Sequence, residues 1–150
     1  MIIKKPFLII TIALFFLNGC GFKVLEPSNV YISKFDVSGD KILADKIKNG
    51  VKTFFSDKTK KNYVLEFNIK KIKNAAEKDN NTVTKYNLKL STNVTIFLKG
   101  SEKKKKFKID VSDQYVVAET HYKSLKIERK IFDRLTNETI EKIIKRINLI

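Results

Sequence analysis

Lys85-Tyr86-Asn87-Leu88-Lys89-Leu90-Ser91-Thr92-Asn93-Val94-Thr95-Ile96-Phe97-Leu98 is the stretch that decides the fold class. Tyr86, Leu88, Leu90, Val94, Ile96 and Leu98 fall on one face of an extended chain, and Lys85, Asn87, Lys89, Ser91, Asn93 and Thr95 on the other. Successive side chains of a strand point to opposite faces. A two-residue alternation of this kind therefore sets one face against a core and the other in water, the pattern of an antiparallel sheet rather than of a parallel sheet covered on both sides.

The alternation recurs on either side. Downstream, after a turn from Gly100 to Lys106, it continues in Phe107, Ile109, Val111, Tyr115 and Val117. Upstream it runs through Tyr63, Leu65, Phe67 and Ile69, and Asn74 to Asn81 reads as a loop. A fourth strand is predicted from Val30 to Val37, rich in β-branched and aromatic residues. Its pattern breaks midway, because Val30 and Ile32 share one face and Phe35 and Val37 the other. Either a bulge or burial on both faces accounts for the break.

Two helices complete the chain. Ser38-Gly39-Asp40 ends the first strand and offers an N-cap, and Leu43, Ile47, Val51, Phe54 and Phe55 then form one apolar face. Gly50 is a weak point within that helix, costing about 1 kcal/mol against alanine. A longer C-terminal helix starts near Ser124. Its stripe of Ile131, Phe132 and Leu135 drifts in phase around Thr136 and resumes with Ile140, Ile143, Ile144 and Ile147. The order β-α-β-β-β-α gives an α+β, two-layer sandwich: a four-stranded, mainly antiparallel sheet with both helices on one face.

The N-terminus carries a different signal. Lys4 and Lys5 precede an apolar run from Phe7 to Leu17, and Leu17-Asn18-Gly19-Cys20 follows. A run this short does not span a bilayer core, which takes about 20 residues; it has the layout of a secretory signal peptide. The Leu-x-Gly-Cys ending resembles the lipobox of bacterial lipoproteins, in which the cysteine is acylated and becomes the first mature residue. That resemblance implies a signal peptide over 1–19, a lipidated tether over 20–29 and a single domain over 30–150. It makes Cys20, the only cysteine, the lipid attachment site, with covalent diacylglycerol and N-acyl lipid in place of any cofactor. Gly21 stands where an inner-membrane retention signal places Asp, so the expected location is the outer membrane, facing the periplasm.

The chain has a formal net charge of +15, of which about +13 remains once Lys4 and Lys5 are removed. A periplasmic location argues against nucleic acid as the partner class and leaves lipopolysaccharide phosphates, phospholipid headgroups and cell wall as polyanions. Only Arg129, Arg134 and Arg146 among the 31 basic residues are arginine. The Lys, Asn, Ile and Phe bias also fits the codon usage of an A/T-rich genome, and composition leaves both origins open. Lys103, Lys104, Lys105 and Lys106 are read as a turn that is either solvated, blunting the sheet edge, or an anion-binding tip. Lys123, Lys126, Lys130 and Arg134 are read as an exposed helix flank.

Catalytic motifs are missing. The five glycines are too dispersed for a P-loop or a dinucleotide fingerprint, and there is no G-x-S-x-G elbow. His121, the only imidazole, reads as a strand-end surface residue, and one histidine does not make a zinc triad. The expectation is a protein that is not an enzyme and binds no metal.

Cys20-Gly21-Phe22-Lys23-Val24-Leu25, Val83-Thr84-Lys85-Tyr86-Asn87-Leu88, and the final helix from Glu128-Arg129-Lys130-Ile131 to Glu141-Lys142-Ile143-Ile144-Lys145-Arg146-Ile147 together resemble the LptE family of LPS-assembly lipoproteins. The resemblance extends over nearly the whole mature chain. It implies an outer-membrane lipoprotein that assists assembly of the lipopolysaccharide export barrel and lipopolysaccharide insertion, as plug and lipopolysaccharide-binding subunit. The partners so implied are that β-barrel, lipopolysaccharide and the outer membrane. The alternative is a small envelope lipoprotein binding cell wall or surface glycan in a structural role, although the chain has no tryptophan to serve as a sugar platform.

Overall fold

The computed structural model describes residues 30–58 and 60–150. The readings placed on residues 1–29, including Cys20, lie outside them. The elements are β1 (Val30–Gly39), α1 (Lys41–Phe54), β2 (Lys61–Asp79), β3 (Thr82–Leu98), β4 (Lys104–Val116) and α2 (His121–Ile147). The strands form one sheet in the order β1-β2-β3-β4. The β2–β3 and β3–β4 pairs are antiparallel, and β1 pairs parallel with β2 through the α1 crossover. The predicted α+β architecture is the observed one.

The broken alternation of β1 is a bulge. Ile32 is opposite Tyr63 but Lys34 is opposite Val64, so Ser33 is the extra residue. The shift turns Phe35 and Val37 to the same side as Val30 and Ile32, where all four join the core. Gly39 then ends the strand at φ +100, where a Cβ would stand 1.9 Å from the Ile69 carbonyl oxygen. Only glycine can make that approach. Asp40 caps α1 by accepting from the Leu43 N–H at 3.1 Å.

Both helices cover the same sheet face and run the same way along it. α1 starts beside Ile69, whose carbonyl accepts from the Asp40 N–H, and ends beside Ile32, whose N–H donates to the Phe55 carbonyl. Leu43, Ala44, Ile47, Val51 and Phe55 are buried under it; Phe54, predicted for the same stripe, is 38% exposed because the helix ends there and only Phe55 turns inward. α2 begins at His121, three residues before the predicted start, because Thr120 rather than Ser124 is its cap. Ser124 instead lies inside the first turn, accepting from the Ala118 N–H. The phase drift at Thr136 is real: Thr136 and Thr139 are buried in the stripe, their hydroxyls donating to the carbonyls four residues back at 2.6 and 2.8 Å.

The sheet departs from expectation at both hairpins. Asn74 to Asp79 is the continuation of β2, not a loop, and the chain reverses at Asn80 and Asn81, both with positive φ. Two residues at positive φ make the tight turn that suits a twisted hairpin. The polar arm so formed carries no apolar alternation. At the other hairpin, Lys104, Lys105 and Lys106 belong to β4, opposite Phe97, Ile96 and Thr95. Leu98, at the end of the apolar face of β3, is 39% exposed, and Val117 lies just past β4 and is 36% exposed.

Candidate functional site

The four consecutive lysines are not one feature. Lys103 lies in the loop, its N–H donating to the Ser101 hydroxyl. Lys104 and Lys106 point to the open face of the sheet and Lys105 to the helix side, as strand alternation requires. Lys104 pairs with Glu66 at 3.7 Å and lies 4.6 Å from the Phe97 ring centre. Among the described residues the other three make no ion pair.

The open face is polar throughout its centre. Asn68 stands between Ser38 and Asn93, and donates to the Ser38 hydroxyl at 2.7 Å. A shallow groove of 340 Å³ runs over these residues and Asp36, Glu66 and Thr95. Farther along, Asp110 accepts from Lys89 at 2.9 Å and Lys108 at 3.0 Å. Ser91 is the largest influence, and with the two lysines it holds the Asp110 carboxyl well below the usual carboxylate range.

Two basic clefts flank the helices. The larger, 530 Å³, lies between the β1 edge and α1. It is lined by Lys34, Lys48, Lys52 and Lys58 around Ile32, Phe35 and Phe55. The other, 400 Å³, lies between β4 and the end of α2, with Lys108, Lys142, Lys145 and Arg146 around Ile109 and Leu149. Cations over an apolar floor suit a phosphate-bearing amphiphile by charge-assisted contact. Neither cleft was foreseen in the sequence, because each assembles from elements far apart in the chain.

The predicted helix flank divides in the same way. Lys123 pairs with Glu119 at 3.2 Å and Arg134 pairs with Asp113 of β4, while Lys126 and Lys130 are exposed. His121 is the exposed first residue of α2, not the end of a strand. It borders a cleft in which Lys73 donates to Glu128 at 2.6 Å, the Tyr115 hydroxyl donates to the same carboxylate at 3.2 Å, and Tyr86 stacks on Tyr115. Burial lowers the Lys73 pKa, but the bonds to Glu128 and Tyr115 outweigh it and the net shift is upward. Burial raises the Tyr115 pKa against the opposing pull of Lys73. Lys73, Tyr115 and Glu128 are bonded to one another, so the cluster reads as a clamp between sheet and helix. Among the described residues there is no group of three or more potential metal-ligating side chains.

No protein-family model and no curated protein matches the chain. Solved structures do. The rare lipoprotein B from Shewanella oneidensis superposes with a TM-score of 0.59 at 15% identity, covering 76% of this chain and 92% of its own. The minor lipoprotein from Acinetobacter baumannii superposes with a TM-score of 0.58 at 13% identity, covering 77% and 90%. This chain shares its fold with bacterial lipoproteins. The likeness spans the domain and, at such identity, concerns the fold.

Proposed function

We propose that the chain is a lipid-anchored envelope protein of the LptE kind. The observation that carries this reading is the meeting of two independent signals: a Leu17-to-Cys20 lipobox, and a domain whose fold recurs in bacterial lipoproteins. Cys20 would hold the protein in the outer membrane. The domain would seat as a plug in the lumen of the lipopolysaccharide export barrel, support folding of that barrel, and pass lipopolysaccharide by binding its phosphates. The polar open face of the sheet suits a hydrophilic lumen. Lysine-lined clefts with apolar floors suit an anionic amphiphile. The role needs no catalytic group, and we propose none.

Depletion of the protein tests the reading. It predicts that lipopolysaccharide stops reaching the cell surface and that the folded form of the export barrel declines in step. Unchanged surface lipopolysaccharide, with the protein instead sedimenting with purified cell wall, would replace it with a structural role in the envelope.

A further inference from the structure

We propose that the end of the domain leading back to Cys20 is a docking surface for an anionic phospholipid bilayer. The orientation rests on the lipid-anchor reading above; the surface itself is read from the described residues. Nine residues separate Cys20 from Val30, a covalent reach of at most about 35 Å over the ten Cα-to-Cα steps. Whatever end of the domain carries Val30 is therefore held near the leaflet that takes the acyl chains.

The topology collects several features at that end. Val30 pairs with Lys61 at the start of β2, and the Asn62 carbonyl accepts from Lys99 just past β3. The loop to β4, with Lys103, and the start of β4, with Lys105, lie at the same end. Both helices finish there too. Gly50 of α1 meets Ile140 of α2, and from that crossing both run on in the same direction to Phe55 and Ile147. Lys145 and Arg146 are on the last turn of α2.

Lys61, Lys99, Lys103, Lys105, Lys145 and Arg146 thus lie toward one end, with Asp57 and Glu102 in its loops, Glu66 paired with Lys104, and Asp110 in the cleft that holds Arg146 and Leu149. Exposed apolar side chains stand among them: Leu149 at 81%, Leu98 at 39% and Phe54 at 38%. Cations complement helix C-termini, but that effect fades beyond the last turn. It does not account for Lys61, Lys99, Lys103 and Lys105, which are on strand ends and a loop. The opposite end is mixed in charge, with Glu77, Lys78 and Asp79 on the hairpin arm and the Glu119–Lys123 pair at the start of α2. A cationic surface with apolar residues among the lysines is what a headgroup region attracts, and it would orient against the leaflet a domain that the acyl chains on Cys20 already hold nearby.

The chain has no tryptophan, so single reporters read its orientation. Leu149→Trp marks the proposed surface, and Tyr122→Trp, at a site 75% exposed near the other end, is the control. The full-length protein is placed on vesicles of phosphatidylcholine with and without phosphatidylglycerol, carrying brominated acyl chains. The proposal predicts quenching of the Leu149→Trp emission on phosphatidylglycerol vesicles, little on phosphatidylcholine alone, reversal by high salt, and no quenching of Tyr122→Trp. In the Leu149→Trp chain, adding Lys99→Gln, Lys103→Gln, Lys105→Gln and Arg146→Gln lowers the docked-to-undocked ratio about fivefold for each charge removed. Equal quenching of the two reporters, or quenching indifferent to lipid charge, overturns the docking surface. The intact mass of the same preparation shows whether Cys20 is acylated. An unmodified Cys20 overturns the anchor reading, while the vesicle comparison still decides the surface.

Discussion

A Cβ placed on Gly50 would lie 2.7 Å from Cδ1 of Ile140. The glycine read from sequence as a weak point of α1 is a place where the two helices meet, with no room for a further side chain. Its helix-propensity penalty is about 1 kcal/mol, and overpacking a filled contact costs about 1–3 kcal/mol. The steric cost wins or nearly cancels. Gly50→Ala is expected to lower stability by up to about 2 kcal/mol. In an Ile140→Ala background the same change is expected to raise stability by about 1 kcal/mol, because the propensity gain is then unopposed. A urea-denaturation double-mutant cycle reads the reversal of sign. The same sign in both backgrounds would mean that the helices do not touch here.

Thr92 sits at a core position of β3 with 0% exposure, and its hydroxyl has no hydrogen-bond partner. Valine has nearly the same shape and removes the unsatisfied group. Thr92→Val is expected to raise stability by about 1 kcal/mol. Thermal or urea unfolding checks it, and a loss of stability would show that the hydroxyl is satisfied in solution.

Asp110 gives the open face a pH dependence. Its carboxyl is held below the ordinary range by Ser91, Lys89 and Lys108. A carboxyl with a lowered folded-state pKa contributes stability above its unfolded value, about 4, and that contribution is lost as pH falls through the folded value. The side chain is 36% exposed, so solvent weakens the effect. The expected result is a stability gap between the wild type and Asp110→Asn that is present at neutral pH and closes as the pH drops below about 4. A gap that is constant across that range would contradict the assignment.

Lys103, Lys104, Lys105 and Lys106 make one ion pair among them, to Glu66. Changing all four to glutamine is expected to leave the fold intact, with a stability change within about 1 kcal/mol. Binding to lipopolysaccharide is expected to weaken and to lose part of its salt sensitivity. Unchanged binding at low salt would return these residues to a solvated edge that discourages pairing with other strands.

Much of the fold was legible because burial and periodicity coincide in β3, β4 and the first half of β2. The arm from Asn74 to Asp79 was not, since all of its residues are exposed and nothing selects apolar residues at alternate positions. Lys104 to Lys106 looked like a turn for a related reason: on an edge strand near the end of the sheet, lysine at every position is tolerated. The break in β1 was visible, but only the parallel pairing to β2 shows that Ser33 is the bulge. The clamp of Lys73, Tyr115 and Glu128 joins residues as far as 55 positions apart. No local pattern announces it, and the basic clefts were hidden in the same way.

The account stands or falls on what surrounds the domain in the cell. The most direct measurement is a pull-down of the tagged lipoprotein from detergent-solubilised outer membranes, with partners identified by mass spectrometry. The account predicts stoichiometric recovery of one large β-barrel together with lipopolysaccharide. Recovery of the protein alone, or with cell-wall fragments, would contradict the plug and leave an anchored α+β lipoprotein with another role.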